Sequence, residues 1–181
     1  MKRRWVATIP IMLTLFVVQV WAEQAQTENK QAQPRPPQPR LTFADSVKRS
    51  LQRVGATIDE SKSAAEMVVS NYSDPRGGKI TIVIVNDKRK NMVGFYIYNF
   101  GNLKNATNRE EIYKYLLSAN DAITIGSFFV DTEQDIGYKY FFSNTQPLNQ
   151  AAFESVYLTM AAVARDRRNE IRQLLGLPAG N

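Results

Sequence analysis

The sequence predicts a single α+β domain, an antiparallel sheet packed by helices, in the order α-β-β-β-α-β-β-α. Three observations carry this. Apolar residues recur at helical spacing in three separated stretches. Three consecutive β-rich stretches joined by turn chemistry lie between the first two of them, and a hairpin lies between the second and third. Strands that follow one another without helical crossovers form a meander, not a parallel βαβ sheet.

The first helix starts near Leu41. Thr42 can cap it, with Asp45 three residues on to complete a capping box. Phe43, Val47, Leu51 and Val54 form one apolar stripe, and Gly55 is placed to stop it. Residues 65–72 read as a strand through Met67, Val68 and Val69, and residues 73–78 as a turn. Residues 79–86 alternate Ile80, Ile82 and Ile84 with Thr81, Val83 and Val85, so both faces are mostly apolar and the strand belongs inside the sheet. After the turn at 87–91, residues 92–100 put Tyr96, Tyr98 and Phe100 on one face and Val93, Phe95 and Ile97 on the other.

The second helix has Thr107 and Glu110 at capping-box spacing and Glu111 in its first turn. Ile112, Tyr115, Leu116 and Ala119 line its buried side, and Asn120-Asp121 ends it. Residues 124–131 and 137–142 form a hairpin around Thr132-Glu133-Gln134, with Tyr138, Tyr140 and Phe142 sharing a face. The last helix spans about 149–175. Phe153, Val156, Tyr157, Met160, Val163 and Ala164 open its stripe, and Gly176 and Pro178 stop it.

Two segments precede the domain. Lys2, Arg3 and Arg4 head a nearly uncharged run from Trp5 to Trp21, closed by Val20-Trp21-Ala22. This is the pattern of a cleavable signal peptide over residues 1–22, cut after Ala22. Its 17 apolar-run residues reach only ~25 Å, short of the ~30 Å hydrocarbon core, so stable membrane insertion is not expected after cleavage. Residues 23–40 hold five Gln and four Pro with no aliphatic residue larger than Ala, a linker composition that cannot bury enough surface to order itself. The domain then occupies 41–181. A periplasmic or secreted location follows from the leader.

Composition narrows the chemistry. The chain of 181 residues has no His and no Cys, which excludes imidazole bases, thiol nucleophiles, disulfides and Cys/His zinc sites. The formal charge of +6 falls to +2 from Leu41 onward, 17 basic against 15 acidic residues, so no nucleic-acid partner is expected. Lys88-Arg89-Lys90, the one basic triplet outside the leader, reads as a solvated turn. Asp131, Glu133 and Asp135 alternate through a turn, but Ile136 and Phe142 stand where a calcium loop needs Gly and Glu. Gly77-Gly78 lacks the Lys-Ser/Thr of a phosphate loop, and Glu110 and Glu111 are neighbours that do not face each other on a helix. The residues point to no enzyme, no cofactor and no metal.

The element order and several strings resemble the YbjN family, which shares the fold of type III secretion chaperones. The strings are Phe43 to Gly55 (FADSVKRSLQRVG), Ile112 to Asp121 (IYKYLLSAND), Gly126 to Asp131 (GSFFVD) and the closing helix. The resemblance covers about Leu41 to Gly176. It implies a small binding or chaperone-like module, often dimeric, with no catalytic residues to carry over. Some members are labelled sensory transduction regulators. The leader departs from the cytosolic secretion chaperones, so loading effectors into a cytosolic export machine does not fit.

The candidate binding residues are Tyr96, Tyr98, Phe100, Tyr138, Tyr140 and Phe142, because Tyr is enriched at interfaces and these rings alternate on two strands. If the two faces coincide, they form a groove for a protein or peptide. If helices cover them, the rings are core, and the burial expected of a domain this size favours core. A regulatory subunit binding a small ligand is the alternative function.

Overall fold

The structure, a computed structural model, describes residues 41–74, 78–145 and 147–178, apart from the side chain of Asn99. The leader over 1–22, the linker over 23–40 and Gly77 of the Gly77-Gly78 pair lie outside the described residues.

The chain from Leu41 is an α+β fold. Helix α1 (Phe43–Arg53) opens on Thr42, whose hydroxyl accepts from the Asp45 N–H at 3.1 Å and donates to the Asp45 carboxylate at 2.6 Å. Strand β1 (Thr57–Ile58) and a 3-10 turn (Glu60–Lys62) follow; both are too short to leave a periodic trace in the sequence. Strands β2 (Met67–Ser73), β3 (Lys79–Asp87) and β4 (Met92–Asn102) form the meander. Helix α2 (Arg109–Ala122), strands β5 (Ser127–Val130) and β6 (Asp135–Ser143), and helix α3 (Gln150–Leu174) complete the chain. All pairings are antiparallel, and the sheet order is β1-β2-β3-β4-β6-β5. Among the described residues no helix is long and apolar enough to cross a membrane.

The start of α2 differs from expectation. Its N-cap is Asn108, not Thr107, and Asn108 makes no side-chain cap. Its amide instead donates to the Leu174 carbonyl at 2.7 Å, tying the start of α2 to the end of α3. A tertiary acceptor has taken the side chain from the local one.

Register decides which side of the sheet is core. Val68 faces Ile84, Ile84 faces Phe95, Phe95 faces Tyr140, and Ile97 faces Tyr138, which in turn faces Phe128. These residues join Val47 and Leu51 of α1, Ile112 and Leu116 of α2, and Phe153, Tyr157 and Met160 of α3 in one apolar cluster. All three helices therefore lie on the same side of one sheet. The Phe153 ring sits 5.1 Å from that of Phe95. Tyr157 places its hydroxyl 3.1 Å from Ser70 Oγ, which donates to the Ile82 carbonyl at 3.1 Å, so both buried polar groups are satisfied. Burial pushes the Tyr157 phenol up to about 12.

Candidate functional site

Among the described residues, no helix packs against the opposite side of the sheet. In register it carries Val69 beside Val83, Val83 beside Tyr96, Tyr96 beside Lys139, Gly94 beside Phe141, and Phe129 beside Gly137. Of the side chains among these, Val69 is buried but absent from the core cluster, and Val83, Tyr96, Phe129, Lys139 and Phe141 are half-buried; Tyr98 is 42% exposed. Four rings run across the middle. Tyr96 and Tyr98 stack at 6.4 Å, Phe141 meets Tyr96 edge-on at 5.5 Å, and Phe129 meets Tyr98 edge-on at 5.8 Å. Burial is the first cause that raises both phenols, followed by neighbouring charge: Tyr98 and Asp87 for Tyr96, Asp131 and Asp135 for Tyr98.

Two glycines set the relief of this face. A Cβ on Gly94 would lie 2.9 Å from the Phe141 ring and 3.0 Å from the Tyr96 ring; one on Gly137 would lie 2.5 Å from the Phe129 ring. The missing side chains let Phe141 and Phe129 lie flat over their cross-strand glycines. A shallow hollow of about 360 Å³ opens over Gly94, bounded by Val85, Lys88, Arg89, Tyr96 and Phe141. A second hollow of similar size lies between α2 and β5, beside the exposed Tyr113 and Leu117.

The six candidate rings divide between the two sides. Tyr96 and Tyr98 lie on the open face. Tyr138 is fully buried on the helix side, and Tyr140 and Phe142 are half-buried against the core. The two sets of strand aromatics do not share a surface, because register opposes Tyr96 to Lys139 and Ile97 to Tyr138. Phe100 is also corrected: it is fully buried, with its ring 5.2 Å from Phe128. The reason is a bulge. The four steps from Ile97 to Gly101 face only the two steps from Tyr138 to Ile136, and Gly101 takes φ +136. Alternation fails across this stretch, and Phe100 turns toward the helices. Phe129, Phe141 and Lys139 were missed. Interior glycines opposite aromatics are the signal that marks them.

The sheet's free edges are partly covered, at Phe128 of the edge strand β5 and along the stretch of β2 that extends past the two-residue β1. On β5, the Asn120 side chain of α2 accepts from the Phe128 N–H at 2.6 Å and donates to the Phe128 carbonyl at 3.1 Å, imitating one residue of a further strand. Asn120 thus sits inside the helix, which runs to Ala122, one residue past the expected end at Asn120-Asp121. On β2, Asp59 N–H donates to the Val69 carbonyl at 2.9 Å, Ser63 Oγ accepts from Val69 N–H at 3.0 Å, and Ala64 bridges Met67. Backbone addition to the sheet is blunted, and side chains on the open face are left as the means of contact.

The acidic candidates have local employment. Asp131 Oδ1 accepts from the N–H groups of Glu133 and Asp135, each at 2.9 Å, and Glu110 pairs with Lys114 at 2.7 Å. Among the described residues no group of three or more carboxylates converges as a metal site. No family model matches the chain, and no curated protein matches it.

Proposed function

We propose that the chain is an exported, non-enzymatic binding module of YbjN-like, chaperone-like character that recognises a protein or peptide through the open face of its sheet. One observation carries this: a row of four half-buried or exposed aromatic rings lies on a sheet face that no helix among the described residues covers, while part of each sheet edge is already engaged by side chains or backbone. Exposed contiguous apolar surface of this kind is a mark of interaction sites. Tyrosine supplies rigid area at little entropic cost and a hydroxyl for hydrogen bonds. The absence of His and Cys from the whole chain supports a binding role over catalysis. The leader pattern supports a periplasmic or secreted setting.

The test is selection of displayed random peptides on the chain from Glu23 to Asn181, followed by comparison with the double variant Tyr98→Ser, Phe141→Ser. Enriched peptides should lose at least about tenfold in affinity on the variant, as expected when buried aromatic anchors are removed, with little change in melting temperature. Peptides that bind both forms equally, or a selection that enriches nothing, would overturn the reading.

The hollow over Gly94 favours a second reading, a regulatory subunit that binds a small ligand there. A thermal-shift screen of small carboxylates and aromatic acids, repeated on Gly94→Val, separates the two: a shift lost in Gly94→Val without loss of peptide binding favours the sensor.

A further inference from the structure

We infer that the segment held on this face is acidic as well as apolar: an extended stretch of polypeptide with acid, apolar and acid residues along one side. This rests on the open face being the binding surface and adds what that surface reads. Lys139 stands in the middle of the face, opposite Tyr96 in register. Its Nζ lies 4.7 Å from the centroid of the Phe129 ring and, among the described residues, has no acceptor or carboxylate. Arg89, at the turn beyond the Gly94–Phe141 pair, is likewise without a side-chain partner, and only its backbone N–H is engaged, by Asp87.

The nearby acids do not neutralise these cations. Asp87 accepts from the N–H groups of Arg89 and Lys90 and pairs with Lys90 at 3.6 Å. Asp131 is held by its own turn, and Asp135 accepts from the Asn102 amide at 2.7 Å. Lys88 is matched by Glu66 at 2.6 Å. Covering Lys139 with a neutral apolar partner would strand a desolvated charge, which is costly unless an anion comes with the partner. The order along the strands is Lys139, then the hollow, then Arg89. Alternate residues of an extended chain project to one side about 7 Å apart. An acid on Lys139, an apolar side chain over Gly94 and an acid toward Arg89 match that order. A second copy laid face to face on this surface would bring another Lys139 against the first.

The test uses fluorescein-labelled Ser-Glu-Ser-Phe-Ser-Glu-Ser, with its Gln and Lys counterparts, titrated by anisotropy against the chain from Glu23 to Asn181 at low salt. The Glu peptide should bind about tenfold more tightly than the Gln peptide, and the Lys peptide most weakly. Added salt should narrow the gap. Lys139→Glu should reverse the preference between the Glu and Lys peptides. Arg89→Glu, in an exposed turn, should weaken the Glu peptide about threefold and serves if Lys139→Glu fails to fold. Equal binding of the three peptides, lost together in Tyr98→Ser, overturns the charge inference and leaves the open-face reading standing. Binding of none of them also overturns it, and the display selection then decides the face independently. Self-association in sedimentation velocity that disappears in Tyr98→Ser gives the face to a second copy and overturns it too.

Discussion

The two sides of the sheet are built from the same strands and differ in what lies over them. On the helix side, Ile82, Ile84, Phe95 and Ile97 are sealed completely. On the other side, Val83, Val85 and Tyr96 are one residue away in sequence and only half-buried. β3 has nearly equal apolar character on its two faces, so strand composition alone does not tell core from contact surface. The difference lies with the helices. Their stripes end in one cluster with one side of the sheet, and nothing in the described chain is left to cover the other.

The comparison breaks most visibly at Phe95. Phe95→Ala should cost about 3–5 kcal/mol in urea denaturation, since it removes a ring packed on Phe153 and Phe142 and leaves a cavity. A loss below about 1 kcal/mol would mean the helix side is not the core. Tyr157 sharpens the contrast next. Its phenol, raised to about 12 by burial, is favoured neutral in the fold. Its contribution is therefore complete below the ordinary value near 10 and is lost as pH rises through about 12. Tyr157 should account for about 2–3 kcal/mol of the fall across that window, and Tyr157→Phe should make the fall shallower without abolishing it, since Tyr138 is raised to about 12 as well. An unchanged slope in Tyr157→Phe would assign the alkaline loss to other groups. Asn120→Ala is the smallest of the three, about 1–2 kcal/mol for two hydrogen bonds to Phe128. It should also produce concentration-dependent self-association by exposing the β5 edge; a variant that stays monomeric would show that the edge needs no seal.

Much of the fold is legible in the sequence because it is periodic. The stripe of Phe43, Val47 and Leu51 and the alternation of Ile80, Ile82 and Ile84 need no tertiary knowledge. The Thr42 cap is local and is present; the Thr107 box is equally good in sequence, yet the helix starts one residue later, on Asn108, whose amide bonds a carbonyl at the far end of α3. The site was legible only in part, for the same kind of reason. Tyr96 and Tyr98 are adjacent in one alternating run, so their shared face is a local fact. Whether Tyr138 shares it depends on register between β4 and β6, which no local pattern states. Phe100 needed the bulge, whose only sequence mark is Gly101.

That bulge has a consequence for how this protein can change over evolutionary time. A strand is written in a two-letter rhythm, and a shift of one position normally rewrites every residue after it. By absorbing the offset between Ile97 and Gly101, the bulge insulates the stretch that carries Tyr96 and Tyr98 from the stretch that buries Phe100 and Leu103. The outward positions of β4 before the bulge can drift toward new tastes while Phe95 and Ile97 between them, and the stretch beyond the bulge in register with Ile136, keep the core, so specificity and foldability are carried on one strand as separately editable clauses.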